Sequence, residues 1–416
     1  MAISCFLPVS VGRLIGVSRF RLQPSPAQEA ALLEHCGHAR FVWNLAVEQH
    51  ACWKPGRSGA PGFAEQCRQL TEARAAFAWL RAGSVIVQQQ ALKDFAQAMA
   101  NFFGKTHRRP AWRRRGRGEG FRIVAVGPDD VRRLSRKVGE VRIPKVGWVR
   151  FRRSRAVPGG VRSFRVTRDR AGRWHVAFAA IPAPVPGPGT GEVAGVDRGV
   201  VVSTALSTGE LLHAPGLREG EKARLVRLQR KLARARRGST RRGKVKAAIA
   251  ALKAREADRR KDWVEKTSTA LARRFDVVAV EDLKVRSMTR SAKGTLEAPG
   301  RKVRQKAGLN RAVLGSGWGR LVERLEHKAP GRVWRVDPAF TSLTCNVCRH
   351  IARDNRESQA VFRCVACGHW ANADVNAACN IRDIAIAAGH AVNARGGDRV
   401  AGPANREPQL ILPSVA

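Results

Sequence analysis

The stretch Ala194-Gly195-Val196-Asp197-Arg198-Gly199-Val200 sets an acid inside an apolar run, residues 193–202, that reads as a β-strand. Burying a carboxylate there is costly unless a cation offsets it. A second apolar strand, Val277-Val278-Ala279-Val280, ends on Glu281 with Asp282 behind it. A third acid, Asp374, opens a final helix whose apolar side carries Ala377, Ala378, Ile381 and Ile384. If the two strands are neighbours, the three carboxylates converge at one sheet edge as an oxygen-rich site for Mg²⁺. Two such ions roughly 4 Å apart activate water on one side of a phosphodiester and stabilise the leaving oxygen on the other. Plainer roles are open to each acid: Asp374 as a helix cap, Glu281 as the partner of an arginine, Asp197 in a turn. Residue type and position leave both readings standing.

Around these strands, residues 225–275 are helical and basic with a break near Gly238-Ser239, residues 312–327 form a helix and residues 333–336 a strand. Strands alternating with helices indicate an α/β core. The Pro/Gly-dense stretch 182–191 marks a domain boundary. Ahead of it, short runs at 121–126, 141–144, 148–152, 163–166 and 174–180 suggest a small β-barrel or sheet, joined by a basic strand at 17–24. Between them lies a helical insert of three or four helices. It opens on a Ser25/Gln28 cap, carries an apolar face of Ala31, Leu32, Ala39, Phe41 and Val42, and is broken by a Pro/Gly-rich gap at 54–62.

The 416 residues carry 77 Lys+Arg against 33 Asp+Glu, a formal charge of +44. Long nucleic acid is the polyanion that matches such an excess. An apolar share of 44% belongs to a globular chain, and no apolar run of about 18 residues offers a membrane span. Tyrosine is absent, which removes every mechanism built on a tyrosine nucleophile. Residues 1–15, broken by Pro8, Gly12 and Arg13, read as an untidy leader and not as an export signal.

Of nine cysteines, Cys5, Cys36, Cys52 and Cys67 are scattered and Cys379 falls on the apolar side of a helix. The other four form two tight pairs, Cys345-x2-Cys348 and, fifteen residues on, Cys364-x2-Cys367. Each pair aims two sulfurs at one ion, and four thiolates close a tetrahedron, so the expectation is structural zinc in a reducing cytoplasm. Arg349 and Gly368 supply charge and turn geometry at the knuckles, and His350 and His369 read as bystanders.

The constellation resembles the TnpB family, RNA-guided nucleases of bacterial insertion sequences and kin of the type V CRISPR effectors. The matching stretches are Gly195-Val196-Asp197-Arg198-Gly199, Val280-Glu281-Asp282-Leu283 and Lys306-Ala307-Gly308-Leu309-Asn310, then residues 340–348, 362–368 and 374–381. Pro110-Ala111-Trp112-Arg113, Phe121-Arg122 and Ile143-Pro144-Lys145-Val146-Gly147 are similar to the family's nucleic-acid-binding barrel. The resemblance implies a multidomain α/β chain: an RNase H-like (RuvC) nuclease core (193–340 and 371–393) with an inserted zinc ribbon (341–370). Ahead of it come a wedge-like β-barrel (17–24 and 106–181) with a helical recognition insert (25–105), then the linker 182–192. Leader 1–16 and tail 394–416 stay unassigned and loose. It also implies Asp197, Glu281 and Asp374 as the catalytic, Mg²⁺-binding triad, Cys345, Cys348, Cys364 and Cys367 as zinc ligands, and a guide RNA from the transposon end as cofactor. Trp112, Arg113, Arg114, Arg115, Arg122, Lys306 and Asn310 are candidate nucleic-acid contacts. Trp43, Trp53 and Trp79 read as core residues before base-stackers. Two departures stand out: Glu265-Lys266 where the family has a histidine before lysine, and Arg349 where it has a small residue.

The expected activity is Mg²⁺-dependent, RNA-guided cleavage of double-stranded and single-stranded DNA beside a short adjacent motif, with base pairing supplying sequence specificity. The alternatives are a silent RNA-guided DNA-binding protein, a zinc-ribbon RNA-binding protein, a strand-joining transposase and a compact CRISPR effector.

Overall fold

In a computed structural model of the chain, structure is described for residues 16–52, 59–180 and 183–393. Expectations for the leader before residue 16, for Trp53 and for the tail 394–416 lie outside the described residues. The chain divides into two compact units, residues 16–184 with 215–262 and residues 185–214 with 263–393.

The first unit begins with β1 (Gly16–Gln23) and four helices, α1 (Pro26–Ala51), α2 (Phe63–Ala76), α3 (Ala78–Ala82) and α4 (Val85–Phe103). The Ser25 side chain accepts from the Gln28 N–H while Gln28 reaches back to the Ser25 N–H, and Pro26 starts the helix. The buried stripe of α1 runs Leu32, Cys36, Ala39, Trp43, Ala46, whereas the expected core residue Phe41 faces solvent. Six strands follow: β2 (Gly120–Val124), β3 (Val131–Arg133), β4 (Val138–Ile143), β5 (Gly147–Arg152), β6 (Ser163–Arg168) and β7 (Trp174–Ala180). With β1 they form one antiparallel sheet, ordered β2-β6-β7-β1-β5-β4-β3. Its end strands β2 and β3 do not pair with each other, so the hydrogen-bond ladder is open along that seam. Period-two alternation places Val149 and Phe151 inside and Arg150 and Arg152 outside. Phe178 is the hub of a ring cluster, its centroid 5.7 Å from Phe20, 5.6 Å from Phe151 and 6.0 Å from Phe164. Leu32, Trp43, Leu92 and Phe95 of the helices share one continuous core with these strands, so the insert and the sheet are packed as one body.

After the linker come the basic helices α5 (Glu219–Arg234) and α6 (Thr240–Arg274); residues 215–262, which hold α5 and most of α6, fall with the first unit. Arg173 bridges Asp169 and Asp258, each at 2.7 Å, and so ties α6 to the β6–β7 turn, while Arg259 grips Glu221 at 2.6 Å and joins α6 to α5.

In the second unit β8 (Val193–Asp197), β9 (Thr204–Leu206), β10 (Leu211–Leu212), β11 (Val277–Glu281) and β12 (Val333–Val336) form a sheet ordered β10-β9-β8-β11-β12. β8, β11 and β12 run parallel, while β9 and β10 are antiparallel additions too short to read in advance. After β11 come α7 (Val285–Met288), α8 (Val303–Ser316) and α9 (Trp318–Lys328). The single helix expected over 312–327 is broken at Gly317, which sits at φ 81° where other residues are strained. On one face Ala194, Val196, Val278 and Val280 pack against Leu271, Phe275, Leu321 and Leu325. On the other, Ala279 and Val336 meet Ile381 and Ala385 of α10 (Ala373–Asn393). Between β12 and α10 lies a small ribbon with the hairpin β13 (Val361–Arg363) and β14 (Trp370–Asn372). No described helix is long and apolar enough to cross a membrane.

The approach of α10 to β8 leaves no room for a side chain at Gly195, where a Cβ would lie 1.9 Å from the Ala378 carbonyl oxygen and 2.6 Å from the Arg382 nitrogen. Both obstacles are backbone, so neither yields cheaply. Gly195→Ala is expected to destabilise the protein by about 3 kcal/mol, read as a fall in chemical-denaturation midpoint, while Gly216→Ala, in open space and without a left-handed backbone, costs far less.

Candidate active site and metal centre

Strand register brings two of the three acids together. Val196 lies opposite Val280 in the parallel β8–β11 pair, so Asp197 and Glu281 follow on the next rung, at the same end of the sheet. Alternation turns both toward the face covered by α10, the face of Gly195 and Ala279. Asp374 stands in the first turn of that helix, and its Oδ2 would lie 3.7 Å from a Cβ at Gly199, two residues beyond Asp197. Three segments far apart in sequence therefore place their carboxylates at one edge. Asp197 ends its strand; the sequence had suggested that it lay inside.

Electrostatics shows the same proximity. Burial, then repulsion from Glu281 and Asp374, pushes the Asp197 carboxyl up to about 7, against the opposing Arg198 backbone N–H and the Arg356 charge. Glu281 is raised by burial, with the Thr341 hydroxyl and Arg198 working against it. Asp374 is raised by burial and opposed by Arg356.

The capping role open to Asp374 is filled by another residue. The capping of α10 is done by Asn372, whose Oδ1 accepts from the N–H groups of Asp374 at 3.0 Å and Val375 at 3.2 Å. The Glu281 carboxylate takes its bond from the Thr341 hydroxyl at 2.7 Å, while the buried guanidinium of Arg198 donates to the Glu281 carbonyl oxygen instead. Arg356 approaches Asp374 at 3.6 Å. The three carboxyls share one end of the sheet and are held against their own ionisation. Among the described residues, however, only the four cysteines bring all their ligand atoms within 4.8 Å of one another, so a hard divalent cation would have to draw the acids together. Arg198 and Thr341 lie in the matched stretches yet, like Asn372 and Arg356, received no role from sequence, because their partners are set by tertiary contacts.

The four ribbon cysteines converge as their spacing requires. Their sulfurs all lie within 4.8 Å of one another, with Cys345 and Cys367 at 3.8 Å and Cys348 and Cys364 at 3.5 Å. Tetrahedral bonds of about 2.3 Å to zinc imply sulfur separations near 3.8 Å, so the cluster fits a structural zinc ion. The knuckles are matched: Arg349 N–H bonds the Cys345 carbonyl and Gly368 N–H that of Cys364. Arg349 sits at φ 65° where Gly368 sits at 74°, and its guanidinium is held by Asn380 and Asp383 of α10. Cys379 is buried in the fold, as expected.

The candidate nucleic-acid contacts separate into two groups. Trp112 is 55% exposed, Arg114 and Arg115 are exposed, and Arg122 is half-buried on β2. Arg113, by contrast, lies 3.7 Å over the Trp43 ring, and burial lowers it to about 10. Lys306 donates to the Met288 carbonyl at 2.7 Å and Asn310 to that of Thr289 at 3.0 Å, so both brace the segment after α7. Trp43 is core, but Trp79 is 49% exposed against the core expectation.

Comparison with known proteins gives three family matches: "Probable transposase" over residues 175–292, "Cas12f1-like, TNB domain" over 318–381 and "Helix-turn-helix domain" over 17–53. The described part of that last stretch is one strand and one helix. The chain is 36% identical over 408 residues to the Escherichia coli K12 protein named "Putative RNA-guided DNA endonuclease InsQ", covering 96% of this chain and 98% of that one. It is 31% identical over 387 residues to a Streptomyces pristinaespiralis protein named "Putative RNA-guided DNA endonuclease", with coverage of 91% and 90%. A cryo-EM structure of a Cas12f1–sgRNA–target DNA complex shares the fold, with a TM-score of 0.53 at 14% identity over 86% of this chain and 82% of that one. Identity sustained over nearly the full length of both relatives, together with the matched transposase and TNB segments, shows that this chain belongs to the TnpB family.

Proposed function

We infer that the protein is an RNA-guided DNA endonuclease whose second unit is an RNase H-like (RuvC) nuclease interrupted by a zinc ribbon. The observation that carries this is the meeting of Asp197, Glu281 and Asp374 at one end of a parallel sheet. The printed names of the full-length relatives support it. The +44 charge suits a protein that grips two nucleic-acid backbones while base pairing reads the sequence.

In this reading the three carboxylates hold divalent magnesium, which would polarise a phosphodiester and supply an activated water. The chain's own residues do the rest. Thr341 fixes the rotamer of Glu281, and Arg198 ties the end of β11 to the residue after Asp197. Asn372 anchors the first turn of α10 and with it Asp374. The first unit is proposed to carry the guide RNA and the target-adjacent duplex, with Trp112, Arg114 and Arg115 offering a ring and charges to them.

Protein purified with its bound RNA is expected to cut a matched plasmid in the presence of Mg²⁺. Asp197→Ala removes a ligand of an ion that contributes several kcal/mol, so cutting should fall roughly a thousandfold while RNA and target binding persist. Cutting that survives the substitution would take Asp197 out of the chemistry. Because Asp197 titrates near 7, protons compete with the metal below that pH. Mg²⁺ affinity, measured calorimetrically, should therefore weaken about tenfold per unit on acidification from pH 7 and level off above it. Metal analysis is expected to find one zinc per chain, lost in Cys364→Ser together with a drop in Tm.

A further inference from the structure

We propose that Phe340 is a stacking platform for a nucleobase of the strand whose backbone lies at the three acids, and so a positioning residue for the cut; this rests on the nuclease reading above. Phe340 lies in the turn that leaves β12, whose last residue Val336 pairs with Glu281 at the acid-bearing end of the sheet. The ring is 60% exposed and contributes nothing to the core clusters of its unit. Its backbone is held at φ 60°, a left-handed conformation that a residue with a bulky side chain adopts only at a cost.

The surroundings over-determine that conformation. The Phe340 carbonyl oxygen accepts from the N–H of Leu343 at 2.9 Å, the N–H of Thr344 at 3.0 Å and the Thr344 hydroxyl at 2.8 Å. The next residue, Thr341, is buried, donates its hydroxyl to the Glu281 carboxylate, and has its own carbonyl bonded by Asn380 of α10 at 2.9 Å. The backbone bearing the ring is thus fixed to the element that carries Glu281 and to the helix that carries Asp374. A glycine would satisfy the turn at lower cost and the core would not miss the ring, so the side chain is retained for something outside the fold. An aromatic face presented in a strongly cationic chain, one residue from a contact of a catalytic acid, suits a nucleobase, for which stacking is strong and indifferent to sequence.

The test compares wild-type, Phe340→Gly and Phe340→Trp proteins, each purified with its guide RNA, on a matched DNA target and on the same target made abasic beside the cut. Phe340→Gly is expected to keep or raise Tm, to keep RNA and target binding, and to cut about tenfold more slowly, while Phe340→Trp restores the rate. The abasic target should slow the wild-type protein by a similar factor and leave Phe340→Gly no slower than it already was. Wild-type rates in Phe340→Gly, or equal slowing of both proteins by the abasic target, would overturn the proposal. A wild-type protein that cuts neither target would overturn the nuclease reading and this role with it.

Discussion

Asp197 is repelled by both Glu281 and Asp374 in one poorly solvated corner, and the strands and helix of the second unit hold the three acids there. Each is raised by burial, and Asp197 further by its two neighbours, so ionising all three at once costs free energy. The rest of the unit supplies the restraint. Parallel pairing fixes two acids side by side, and the missing side chain at Gly195 lets α10 settle directly on β8 to deliver the third. Arg198 sits buried within this arrangement as a fixed positive charge.

The ribbon belongs to the same restraint. Asn376 and Asn380, both buried on α10, bond the Thr344 carbonyl, Asn376 also receives the Asn346 N–H, and Asp383 takes Arg349. These anchors fall within the turns that follow Asp374. A metal knuckle thereby steadies the helix that bears an acid, although its own four sulfurs leave no open position for chemistry.

Much of this was legible in the residues because it rests on chemistry that few residue types perform. A doubled Cys-x2-Cys pattern announces itself, and Ser25 with Gln28 announced a helix start, while the three acids stood out as candidates whose plainer roles residue type and position left open. What stayed hidden depends on tertiary partners. Arg113 sits in a basic run yet stacks on Trp43, and Lys306 and Asn310 lie in a family motif yet brace a neighbouring segment. Phe41 and Trp79 look like core residues in a helical pattern, but pack edge to face with each other at the surface, 4.9 Å apart. Residues 215–262 read as a continuation of the nuclease part, and the Arg173–Asp258 salt bridge that ties them to the first unit is a tertiary contact no local pattern announces.

The open sheet of the first unit has one more implication. Two unpaired rims are templates on which another copy of the chain can add a strand, the usual route to aggregation. Both rims carry arginines, Arg122 on β2 and Arg133 on β3 (the neighbouring Arg132 is paired with Glu140), and like charges discourage such an approach. Colloidal behaviour therefore depends on where the cations lie as well as on their sum, and ionic strength that screens them strips the rims of their guard.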